Sequence, residues 1–122
     1  LVHGRIDRVD KLPDGTLEII DYKTGKAKEK VSGGDKEQLV IYQMAAEQLP
    51  EYQTIGATSR LTYLYLNDNL KISFLGNEKE KEKIKEKLKK IIGQINARDF
   101  TATPGAHKCA FCDFRDICDF RE

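Results

Sequence analysis

Tryptophan is absent from this 122-residue chain, methionine occurs once and proline three times, and no cysteine precedes position 109. Three cysteines, an odd number crowded at one end, are not the makings of a disulfide framework. They point to a reducing, cytoplasmic setting and to metal ligation. No apolar run approaches the roughly 20 residues that span a bilayer. An excess of charge is also lacking: 21 basic residues face 20 acidic ones, a net charge of +1. The chain as a whole is therefore no magnet for nucleic acid, and any such affinity must come from local patches or other domains. The opening Leu-Val-His-Gly-Arg is polar and strand-like, so no leader peptide is expected. The missing initiator Met predicts a piece of a longer protein.

What is present fits one small globular domain. Hydrophobic residues make up 39% and charged residues 34%, enough for a single modest core. Residues 2–10 and 16–23 are β-rich runs on either side of Pro13-Asp14-Gly15, and Asp-Gly in that place signals a hairpin. Residues 25–34 are rich in glycine and lysine and read as a loop. From Asp35 the period becomes helical, with Leu39, Tyr42, Ala45, Ala46 and Leu49 recurring until Pro50. Residues 57–66 and 70–75 predict a second hairpin across Asn67-Asp68-Asn69. Asn77 and Glu80 have the spacing of a helix cap with its partner acid. Ile84, Leu88, Ile91, Ile92 and Ile95 form the apolar stripe of a long helix, whose Glu/Lys run is its solvated face. The order is β-β-α-β-β-α followed by an irregular tail.

The first hairpin carries the chemistry. Asp21 and Lys23 lie two apart on one strand and so project to one side. A turn centred on Asp14 places Asp7 directly across from Asp21, with Cβ atoms about 4.5–5.5 Å apart. Two carboxylates so close repel unless a cation lies between them, and oxygen ligands suit Mg²⁺ or Mn²⁺. Such a metal activates water and polarises a phosphoryl oxygen, and a neighbouring ammonium offsets developing negative charge. On spacing alone, charges on a surface strand would look the same.

Gly4-Arg5-Ile6-Asp7-Arg8-Val9-Asp10, followed by Ile19-Ile20-Asp21-Tyr22-Lys23-Thr24-Gly25, resembles the GxxD…hhDYKT signature of RecB-type nucleases in the PD-(D/E)XK superfamily. Gln38-Leu39-Val40-Ile41-Tyr42 resembles their QxxxY motif, with Gln38 and Tyr42 on one helical face. The resemblance implies that Asp7, Asp21 and the Tyr22 carbonyl bind the metal. It implies that Lys23 is the catalytic lysine and that Gln38 and Tyr42 line the site and the DNA path. The family's upstream helix, with a further acidic or histidine ligand, would precede Leu1. His3 shares a strand face with Asp7 but lies within the strand and is expected to be no substitute.

Cys109-x2-Cys112-x5-Cys118 brings three soft ligands together, suited to iron–sulfur or zinc. His107 could complete a Cys3His zinc site but reads better as a surface residue. The spacing resembles the C-terminal triplet of AddB-like nucleases, which implies a [4Fe–4S] cluster whose fourth cysteine comes from upstream. That cluster would belong to the full-length parent.

The expected fold is α/β: a restriction-endonuclease-like mixed, mostly antiparallel sheet flanked by helices, truncated at its N-terminus. Residues 1–99 would be the nuclease core and 100–122 its cysteine-containing tail. The expected function is metal-dependent hydrolysis of DNA phosphodiesters within a recombination or repair helicase–nuclease of the UvrD/Rep type or a related protein, with DNA and a helicase domain or subunit as partners. The alternatives are a non-catalytic DNA-binding or structural module that keeps the fold, and a small zinc-ribbon interaction domain.

Overall fold

A computed structural model describes residues 3–28 and 33–122. Four strands form one sheet in the order β1 (Arg8–Lys11), β2 (Leu17–Lys23), β3 (Thr58–Tyr65) and β4 (Leu70–Phe74). The β1–β2 and β3–β4 pairs are antiparallel, while β2 and β3 run parallel. A parallel neighbour needs a crossover, and α1 (Gly33–Ala46) with the short α2 (Pro50–Gln53) provides it. The sheet is thus mixed with antiparallel pairs in the majority, as expected.

The chain divides into two compact units, Leu1–Lys87 and Leu88–Glu122. In the first, Leu17 and Ile19 of β2 and Leu61 and Tyr63 of β3 are fully buried with Leu39 of α1. Side chains of this size contribute about 1.5–3 kcal/mol each on burial, which makes this small cluster the main source of stability. The first hairpin turns where Gly15 takes φ +84°, a conformation that a Cβ would strain. Asp14 closes the turn by accepting from the Thr16 N–H at 2.9 Å. Gln43, only 2% exposed, locks α1 to the connection after β4: it accepts from the Gly76 N–H at 3.0 Å and donates to the Gly76 carbonyl at 3.2 Å.

The long helix α3 (Glu78–Asn96) starts at a reciprocal cap. Asn77 Oδ1 accepts from the Glu80 N–H at 2.9 Å, and Glu80 Oε2 accepts from the Asn77 N–H at 3.1 Å. Ion pairs Lys36–Glu80, Lys81–Glu47 and Lys87–Glu37 link its first part to α1 and the residue that follows it.

Several boundaries differ from the sequence expectation. β1 begins at Arg8, so Asp7 sits in a bend just before it and His3 lies outside any strand. α1 ends at Ala46, and Leu49, expected on its apolar stripe, is 40% exposed in extended backbone before Pro50. Pro50 opens a new helical turn at its first position. In the second unit Ile91, Ile92 and Ile95 are exposed rather than core. Its tail contains a turn of helix, α4 (Ala106–Ala110), and a 3-10 turn (Arg115–Ile117). Among the described residues no helix is long and apolar enough to cross a membrane.

Candidate metal and catalytic site

The site forms where the β1–β2 ladder stops. Its pairs run from Lys11 opposite Leu17 to Arg8 opposite Ile20, the register that a turn centred on Asp14 predicts. Beyond that last pair the chain bends at Asp7. The Tyr22 N–H, which would make the next ladder bond, donates instead to Asp7 Oδ2 at 3.0 Å. A strand residue's N–H and C=O point to the same edge, so the Tyr22 carbonyl also faces the Asp7 side. Asp7 itself is exposed.

Asp21, by contrast, is 5% exposed. Its Oδ1 accepts a hydrogen bond from Gln38 Nε2 at 3.3 Å. Its Oδ2 lies 2.7 Å from Lys23 Nζ, an ion-pair distance, but off the line of a hydrogen bond. Oδ2 is accordingly the one buried side-chain N or O atom among the described residues with no hydrogen-bond partner. Buried carboxylate oxygens are normally bonded, and an orphan of this kind needs a reason. Lys23 shares the Asp21 face, as expected, and its ammonium stands 4.8 Å from the centroid of the Tyr63 ring.

The helical pair expected from sequence also meets. Gln38 Nε2 lies 3.2 Å from the Tyr42 hydroxyl, so one amide reaches both Tyr42 and Asp21. Gly4 passes so close to Tyr42 that an added Cβ would lie 3.1 Å from its ring. Arg8 and Asp10, interleaved in the same motif, point to the opposite face of the hairpin and pair with each other at 2.7 Å. That bond holds the Asp10 carboxyl below its ordinary range.

Tyr63 escapes the sequence reading. It stands directly beside Asp21 in the parallel register, is fully buried, and its hydroxyl donates to the Asp35 carbonyl at the start of α1. Burial, together with the Asp21 and Asp35 carboxylates, pushes its phenol well above the usual value, so it stays a neutral donor. A tyrosine in an apolar strand carries no local sign of such a place; only the register of β2 against β3 reveals it.

Among the described residues no group of three or more His, Cys, Asp or Glu side chains converges to hold a metal. Two carboxylates and a backbone carbonyl are nonetheless the donor set that suits Mg²⁺, which keeps several waters and takes substrate oxygens. The orphaned Asp21 oxygen fits that use. His3 is exposed.

In the second unit, Cys109, Cys112 and Cys118 line one cavity of about 280 Å³. Backbone hydrogen bonds from Glu122 and Gly105 lower the Cys109 thiol from its ordinary pKa, which favours a thiolate. The three thiols do not form a closed metal site by themselves. His107 is exposed and rests against Phe111, ring centroids 5.5 Å apart.

The sheet, the acid–lysine pair and the glutamine above it define a family, and residues 1–119 match the PD-(D/E)XK nuclease superfamily. The chain belongs to that superfamily, and its α/β architecture is restriction-endonuclease-like. It is also 40% identical over 74 residues to an ATP-dependent helicase/deoxyribonuclease subunit of Streptococcus pyogenes serotype M49 (strain NZ131). The corresponding serotype M6 protein (strain ATCC BAA-946 / MGAS10394) is 39% identical over the same length. Each match covers 56% of this chain and 6% of the relative, so the chain spans a small part of the proteins it resembles.

Proposed function

We propose that this chain is the phosphodiester-cleaving module of a DNA recombination or repair helicase–nuclease. The observation that carries the reading is the buried Asp21 carboxylate, with one oxygen orphaned beside Lys23 and with Asp7 bonded to the neighbouring Tyr22 N–H. Asp7, Asp21 and the Tyr22 carbonyl would hold Mg²⁺ or Mn²⁺. Such an ion lowers the pKa of bound water and polarises the phosphoryl oxygen. The chain's own residues do the rest. Lys23 places a positive charge where negative charge grows on the phosphorus oxygens or where water attacks. Gln38 fixes the rotation of the Asp21 carboxylate by holding Oδ1, which leaves Oδ2 aimed at the site. Tyr42, held by the same amide, lines the approach of the substrate.

The match to subunits named deoxyribonuclease supports DNA as the substrate, and their helicase name supports a helicase domain or subunit as partner. A cytoplasmic place is in keeping with relatives whose names put them to work on DNA. The domain would comprise residues 1–99 with 100–122 as its tail. In the full-length protein Cys109, Cys112 and Cys118 would supply three of the four thiolates of a [4Fe–4S] cluster.

Calorimetric titration with Mn²⁺ tests the central reading. A site of micromolar to millimolar affinity is expected, lost in Asp7→Ala. No binding, or binding unchanged in that variant, refutes it and favours a non-catalytic module with the nuclease fold.

A further inference from the structure

We propose that Tyr63 is a positioning residue for Lys23, its ring forming the floor that holds the ammonium in line with the Asp21 carboxylate. The inference rests on the reading of Lys23 as the residue that acts on the phosphate.

A lysine is a poor choice where position matters. Its charge rides on a flexible four-carbon stem that has many rotamers to lose. Here the ammonium has two contacts fixed by the sheet. Asp21 Oδ2 lies 2.7 Å away, and the face of Tyr63 lies 4.8 Å below. Asp21 and Tyr63 are direct partners in the parallel register, so both contacts move as one with the β2–β3 pair. The ring quadrupole attracts a cation over its face, and the attraction grows where water is excluded. Lys23 is partly exposed, with 29% of its side chain open, while Tyr63 is fully buried. One end of the interaction is therefore rigid and the other reaches solvent.

The Tyr63 hydroxyl adds a second constraint. It donates to the Asp35 carbonyl, one turn before Gln38 on α1. Tyr63 therefore touches Lys23 with its ring and the helix that carries Gln38 with its hydroxyl. Gln38 in turn grips the other oxygen of Asp21. Ring and hydroxyl make separate predictions: the ring positions the ammonium, and the hydroxyl sets where the helix begins.

The first test needs no substitution. In a ¹³C-labelled sample of the chain, the Lys23 Cε protons should be displaced upfield by the Tyr63 ring current; unshifted protons overturn the proposal. Tyr63→Phe should keep the displacement and Tyr63→Leu should abolish it. In the full-length protein with Mn²⁺, Tyr63→Leu should lower kcat on DNA by roughly three- to thirtyfold with KM unchanged. Tyr63→Phe should restore most of that loss. A folded Tyr63→Leu protein with normal kcat, or a Tyr63→Phe protein as impaired as the leucine variant, overturns the role of the ring. Should the unmodified full-length protein cut no DNA, the nuclease reading fails, while the ring-current result still decides how Lys23 is held.

Discussion

Two acids of the same strand are buried to nearly the same degree, Glu18 at 7% exposure and Asp21 at 5%, yet they are treated differently by their surroundings. Near the start of β2, Glu18 accepts from the Thr62 hydroxyl at 2.5 Å, and Thr62 in turn bonds to Ser73 at 2.8 Å. Asp21, near the end and on the opposite face, keeps an oxygen that is ion-paired with Lys23 at 2.7 Å but accepts no hydrogen bond. A buried carboxylate costs stability unless it is bonded or paired. Glu18 has its cost offset within the fold. Asp21 keeps an oxygen free of hydrogen bonds, and under the proposed function the contrast would separate a structural acid from a working one.

The contrast is broken most sharply by Asp21→Asn. Asparagine keeps the shape and an oxygen for Gln38 but removes the charge. Cleavage should fall by about a thousandfold or more. The melting temperature should move little, a change within about 1 kcal/mol, because Lys23 can turn to water. Matched rate assays and thermal melts read both numbers, and a collapse of the fold with loss of activity would erase the distinction.

Glu18→Ala should do the reverse. We expect a loss of about 1–3 kcal/mol in stability, with cleavage per folded molecule unchanged, since the fully buried Thr62 hydroxyl loses one of its two partners and the buried side chain leaves a void. Urea unfolding would show it. A strong effect on cleavage with no loss of stability would place Glu18 in the working class.

A third carboxylate, Glu80, sharpens the scale at the surface. The Lys36 ammonium, and then the Asn77 N–H, hold its carboxyl below the ordinary glutamate range. Because its folded pKa is depressed, its contribution is present above the unfolded value and is lost as pH falls through the folded one. Melting temperature should therefore drop on acidification below the ordinary glutamate range. Glu80→Gln should flatten part of that slope, by a few tenths of a kcal/mol for so open a site. An unaltered slope would mean that the cap does not feel the charge.

Much of this could be read from local pattern. Asp14-Gly15 fixes the turn, and the turn fixes which residue faces which, so the register from Lys11 opposite Leu17 to Arg8 opposite Ile20 follows from counting. Gln38 and Tyr42 meet because four residues make about one helical turn. Asn77 and Glu80 announce their cap by type and spacing. The parallel pairing of β2 with β3 is not written locally: an intervening helix separates the strands, and both flanking pairs are simple hairpins. Tyr63 depends entirely on that pairing. Asp7 left the strand because its side chain takes the bond that the backbone would have taken. Ile91, Ile92 and Ile95 of α3 have the same period as the buried Ile84, but period reports a face and not whether anything covers it.

The turn after β3 reaches back a long way. Leu66 N–H donates to the Lys23 carbonyl at 2.9 Å, Asn67 Nδ2 to the Thr24 carbonyl at 2.5 Å, and Asp68 accepts from the Ala27 N–H at 2.9 Å. Contacts between such distant positions close late and slow a chain's search for its native form. On the ribosome, the first hairpin could form early, but its lysine would stay unplaced until residues 66–68 had emerged. Translation itself thereby delays assembly of the proposed site until most of the first unit has been made.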